Sequence, residues 1–162
     1  MSFFKRATAA NAEDTVITVS AVTVATITDR VEFNSQFAEF HANPASSQIS
    51  LVTHANAGGP TYQSAKSIGL TFDRNIEPGT YSVTDPEFPF QKAYYGEAGV
   101  ISGATTSFNY YAKSGTFTVE VMQATPEKLH YRFKFNFMGV NARNQELRIA
   151  GDSTYIVLLR PV

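Results

Sequence analysis

Residues Leu129–Phe137 read L-H-Y-R-F-K-F-N-F, with Leu129, Tyr131, Phe133, Phe135 and Phe137 apolar and His130, Arg132, Lys134 and Asn136 between them polar. A strict period of two puts one set on a buried face and the other in water, so the segment is predicted as a β-strand. The same signal recurs in Gln48–His54, Ser67–Asp73, Thr80–Thr84, Thr116–Met122 and Ser153–Leu159. Thr15–Ile27 is β-branched almost throughout. It fits one long strand buried on both faces, or two strands with a bend near Ser20 and Ala21. Val31–Phe40 is ambiguous, because Phe33, Phe37 and Phe40 have the i, i+4, i+7 spacing of a short helix, with a strand as the competing assignment.

Turn chemistry separates these runs. Asn43-Pro44, Asn56–Pro60 (NAGGP), Pro78-Gly79, Ser102-Gly103, Ser114-Gly115, Thr125–Lys128 and Gly139–Gln145 all read as turns or loops. Roughly eight to ten strands joined this way predict an all-β protein: an antiparallel β-sandwich, jelly-roll-like, with a closed calycin-like β-barrel as the alternative. Residues 1–14 are expected to be a poorly ordered tail and residues 15–162 a single β domain. Asp85–Thr106 stands apart, holding Pro86, Pro89, Gly96, Gly99 and Gly103 among aromatic residues. A long segment with so little periodicity is expected to be a functional loop or a crossover.

Composition narrows the chemistry. With 13 basic and 14 acidic residues the formal net charge is −1, which gives no general electrostatic pull on phosphates and argues against nucleic acid. There is no cysteine, so disulfides, thiolate metal sites and cysteine nucleophiles are excluded. No stretch reaches the roughly 20 apolar residues of a membrane helix. The start, MSFFKRATAANAEDT, places Phe3 and Phe4 before Lys5 and Arg6, the reverse of a secretory signal; the compartment stays open between cytoplasm and export with a leader removed or by a route without one.

His41, His54 and His130 have no metal-ligand spacing, and no nucleophile elbow, S-x-x-K or P-loop is present. Neither a metal, a cofactor nor a catalytic residue is therefore expected. Asp73, Glu77, Asp85 and Glu87 are weighed as oxygen ligands for a cation or as a glycosidase-type pair, against a reading as solvated loop rims. His130, Arg132 and Lys134 form a basic row that fits the wet side of a sheet. The strongest candidates are the tandem pairs Tyr94-Tyr95 and Tyr110-Tyr111. Neighbours on a strand point to opposite faces, so one ring of each pair is expected in solvent. A tyrosine offers an apolar face and a hydroxyl together, suited to sugar rings and protein contacts.

Ile68–Phe72 followed by Glu77-Pro78-Gly79-Thr80-Tyr81, with Tyr111–Thr116 (YAKSGT) leading into Tyr131–Phe137, resembles small uncharacterised bacterial β-proteins with a PGTY corner, many of them secreted lipoproteins. The resemblance spans roughly residues 48–159 and implies an all-β fold. It carries no catalytic residues, and this chain departs from it in having no lipoprotein cysteine and no glycine ahead of the aromatic strand.

Together these features lead to the expectation of a non-enzymatic binding or interaction module for a small molecule, glycan or protein, acting through residues 85–111, with a homo-oligomer left open. A barrel carrying a small apolar ligand and a carboxylate-dependent hydrolase are the alternatives.

Overall fold

The structure is a computed structural model that describes residues 14–55 and 64–162. The described residues form ten strands: β1 (Thr15–Ile27), β2 (Phe33–Asn34), β3 (Phe37–Ala42), β4 (Gln48–Ala55), β5 (Lys66–Asp73), β6 (Gly79–Ser82), β7 (Phe90–Ile101), β8 (Ala104–Ala124), β9 (Lys128–Val140) and β10 (Glu146–Pro161). They form one sheet in the order β2-β1-β10-β9-β8-β7-β5-β4-β3. β8 is long enough to hold β7 along Ala104–Tyr111 and β6 along Thr116–Val119. Every pairing is antiparallel.

Among the described residues no ladder joins the two ends of the sheet, β2 and β3, so the sheet is not closed. The fold is thus all-β and sandwich-like rather than a closed barrel. The sheet folds over so that distant strands meet inside: Phe72 of β5 lies 5.1 Å, edge-on, from both Tyr131 and Phe133 of β9. β2 and β3 are consecutive in the chain. Between them the Ser35 N–H donates to Thr23 O of β1 and the Gln36 N–H to His54 O of β4. The chain changes partner strand at this point, so the helical spacing of Phe33, Phe37 and Phe40 reflects a broken strand: Phe33 is buried and Phe37 is exposed.

β9 behaves as its alternation dictates. Leu129, Tyr131, Phe133, Phe135 and Phe137 are buried, and His130, Arg132, Lys134 and Asn136 face outward. β1 is one unbroken strand, and its odd positions Thr23, Ala25 and Ile27 turn inward while Val22 and Val24 face out. Ser114-Gly115 is not a turn: both residues lie inside β8, at a bulge where the register with β9 shifts between Ala112 and Ser114. Gly115 has φ +115°, and a Cβ there would sit 2.3 Å from Asn136 O, so only glycine fits. Ser102 and Gly103, both at positive φ, do make the tight turn between β7 and β8. The NAGGP segment and the N-terminal tail, apart from Asp14, lie outside the described residues.

Polar groups also reach the core. Thr23, Thr53 and Ser153 are fully buried; Thr23 Oγ1 and Ser153 Oγ are 2.7 Å apart, and Thr53 Oγ1 donates to Ile68 O at 3.4 Å. The hydroxyl of buried Tyr155 faces these three hydroxyls without meeting hydrogen-bond geometry with any of them. A buried unsatisfied hydroxyl costs free energy. Tyr155→Phe is therefore expected to leave stability unchanged or raise it by about 1 kcal/mol in chemical unfolding. A loss of that size would mean the hydroxyl is bonded after all.

Candidate functional site

The two tandem tyrosine pairs sit opposite each other. Tyr94 of β7 pairs with Tyr111 of β8, and Tyr95 with Tyr110. Alternation sends them to opposite faces: Tyr95 and Tyr110 are buried, Tyr111 is exposed and Tyr94 is half-buried. The segment expected to be a loop is largely strand β7, so these residues are held by a sheet ladder instead of a mobile connection.

The inner pair faces Glu97, which shares the inward parity of Ala93 and Tyr95. Tyr95 Oη donates to Glu97 Oε1 at 2.9 Å and Tyr110 Oη to Oε2 at 3.3 Å. Arg30, from the turn after β1, clamps the same carboxylate in a fork, Nε to Oε1 at 2.8 Å and Nη2 to Oε2 at 2.9 Å. Burial pushes the Glu97 carboxyl up, but Arg30 and the two phenols outweigh it and hold the group below the usual carboxylate range. Burial, and then the neighbouring carboxylate, push the Tyr95 hydroxyl up; the same two causes raise Tyr110. An ionised carboxylate accepting four hydrogen bonds has no proton to give and no unused lone pair directed at a substrate, so the cluster reads as a brace. Clefts of about 280 Å³ and 400 Å³ flank the Arg30–Glu97 pair. Arg143 lies over the Phe108 ring at 5.6 Å in the larger one.

The outer pair belongs to a graded surface. One row crosses the sheet as Glu39, Val52, Gly69, Tyr94, Tyr111 and Val140; beside it runs a second, Phe37, His54, Ser67, Gly96 and Asn109. The Tyr94 ring lies over Gly69, where a Cβ would meet it at 2.4 Å. Glycine is needed at this position so that the ring can lie against the sheet. The Tyr94 and Tyr111 rings are 5.6 Å apart and tilted by 47°. Next to them a cleft of about 240 Å³ opens over Gly96, lined by His54, Ser67, Ser107 and Asn109. Asn109 Oδ1 and Ser67 Oγ reach in above Gly96, at 2.7 and 3.0 Å from where its Cβ would be. His54 stacks on Phe37 with centroids 4.6 Å apart. Its buried Nε2 has no hydrogen bond, and the Glu39 carboxylate is 3.4 Å away.

Comparison with known proteins finds no matching family model, no matching curated protein and no matching solved structure. What this protein does has to be read from its own residues.

The other candidates are dispersed. Asp85 accepts the Glu87 N–H at 2.8 Å in an exposed turn. Asp73 accepts from the Ser47 hydroxyl and the Asn75 N–H, and those bonds hold its carboxyl below the usual range. Both carboxylates thus cap turns. Among the described residues no group of three His, Asp or Glu side chains is placed to hold a metal ion. His130, Arg132 and Lys134 share the outer face of β9, where Arg132 stands opposite Glu120.

Sequence reasoning missed Arg30 and Glu97. Once Phe90–Ile101 is taken as a strand, parity places Glu97 inward, and an inward carboxylate requires a cation. No local pattern marks Arg30 as that cation.

Proposed function

We propose that this protein is a non-enzymatic binding module whose ligand is a sugar-like, polyhydroxylated molecule held on the outer face of β4, β5, β7 and β8. One observation carries the reading: Tyr94, laid over Gly69 beside exposed Tyr111, borders a polar cleft that Ser67, Asn109 and His54 line. A sugar ring presents apolar C–H groups on its faces and hydroxyls around its rim. It needs an aromatic surface and convergent donors and acceptors side by side. Strands hold both here, so little ordering is required on binding. The described core is packed ring against ring, which leaves an apolar-ligand carrier without support. The carboxylates of Asp73 and Asp85, engaged in their own turns, do not favour a hydrolase.

A glycan array followed by calorimetry tests the reading. Tyr111→Ala should weaken binding by about 1–2 kcal/mol, roughly 5–30-fold, with an unchanged melting temperature because the ring is exposed. Asn109→Ala should weaken it as well. An array without a hit, or an affinity indifferent to both substitutions, sinks the proposal.

A further inference from the structure

Three connections that are distant in the chain meet around one cleft of about 400 Å³. The turn after β1 contributes Arg30, and the hairpin of β7 and β8 contributes Val100, Ile101 and Phe108. The turn between β9 and β10, with the start of β10, contributes Arg143, Gln145 and Glu146. The brace of Arg30, Glu97 and Tyr110 forms part of the lining, and within it the two charges are matched. Phe108 and Tyr110 have the inward parity of β8, opposite to Asn109 and Tyr111. This cleft is therefore separate from the proposed ligand face.

The Arg143 guanidinium is placed by its surroundings. Gly99 has no Cβ, which would come within 2.8 Å of the Phe108 ring, so that ring can settle against β7. Arg143 lies over it, 5.6 Å from the centroid. The turn that carries Arg143 is held by buried Asn141. Its Oδ1 accepts from the Arg143 and Gln145 N–H groups at 2.9 and 3.0 Å, and its Nδ2 donates to Gln145 Oε1 at 2.9 Å. A guanidinium anchored in this way offers its planar fork to a carboxylate.

Glu146 brings the opposite charge to the same cleft. The ion pairs among the described residues are Arg30–Glu97 and the contacts of Glu39 with His41 and His54. Arg143 and Glu146 belong to none of them. A cation and an anion thus stand on one short, braced turn without neutralising each other in contact. Val100, Ile101 and Leu147 make the apolar part of the lining.

We propose that this cleft binds a small zwitterion of the free amino-acid type. Its carboxylate meets Arg143, its ammonium meets Glu146, and an apolar side chain lies against Val100, Ile101 and Leu147. A simple anion would be opposed by Glu146 and a simple cation by Arg143, whereas a molecule with both charges gains from both. The cleft has the size of a small-molecule site.

Calorimetry of the full chain with leucine, leucinamide and N-acetylleucine tests it. Leucinamide lacks the carboxylate, and N-acetylleucine lacks the ammonium. Leucine should bind, and each analogue should bind about 10–100-fold more weakly. Arg143→Gln should erase the difference between leucine and leucinamide, and Glu146→Gln the difference between leucine and N-acetylleucine. Both positions are exposed, so the melting temperature should not change. Tyr111→Ala should leave leucine binding as it was, which separates this site from the outer face. Absence of leucine binding overturns the proposal. Equal affinity for leucine and N-acetylleucine would mark a plain anion site and overturns it as well. So does discrimination that survives both substitutions, since the ligand would then sit elsewhere.

Discussion

Replacing Phe133 by alanine is expected to cost about 3–5 kcal/mol of folding stability. Phe133 is fully buried, and its ring lies 5.1 Å from Phe72, 5.3 Å from Phe90, 5.8 Å from Tyr131 and 5.9 Å from Tyr155. These partners sit on β5, β7, β9 and β10, so the side chain ties together both halves of the folded sheet. Truncation removes its transfer free energy and leaves a void that rigid neighbouring rings cannot close. Urea unfolding measures the loss, with the slope expected to stay unchanged. A loss below about 1 kcal/mol would contradict the packing described.

The second large effect concerns Arg30 and Glu97. Arg30→Ala leaves an ionised carboxylate, 13% exposed at its side chain, with only two phenols. Breaking a buried pair costs about 3–5 kcal/mol. The Arg30 side chain is 35% exposed and water can replace part of it, so about 2–3 kcal/mol is expected. Glu97→Ala strands the guanidinium and two hydroxyls, and the double substitution should cost less than the sum of the single ones. Full additivity would show that the fork contributes nothing as a pair. Acid adds a further check. Glu97 is held below the usual carboxylate range, so its contribution is complete at neutral pH and is lost as pH falls through its folded value. Between neutral and acidic pH the wild-type melting temperature should fall more than that of Glu97→Gln. Parallel curves would remove Glu97 from the acid response.

How much of this was legible in the sequence depends on whether the governing contact is local. The β9 face could be read directly, because alternation needs only neighbouring residues. The division of the tyrosine pairs between two faces follows from the same rule. β7 was hidden because Gly96 and Gly99 dilute its pattern and Pro86 and Pro89 precede it. Those glycines serve contacts with Asn109, Ser67 and Phe108 on other strands, which the periodicity of β7 itself does not record. Gly115 gave a true signal of unusual backbone but could not separate a turn from a bulge. Arg30 lies 67 residues from Glu97, and a pairing over that separation leaves no mark on either segment. The Tyr94–Gly69 contact was unreadable for the same reason.

The place of β10 in the sheet bears on how the chain reaches this state. The last strand lies between β1 and β9, with Thr15 opposite Pro161. During synthesis β1 emerges long before β10, which covers it, so its uncharged, β-branched stretch waits for that partner until β10 has left the ribosome. Pairing over such a separation is slow, and unsatisfied strands of this kind are where nascent chains aggregate. A break in the chain ahead of β10 would extend that exposure indefinitely. The vulnerable interval for this protein is thus the one between the emergence of β1 and that of β10, and chaperone dependence should concentrate there.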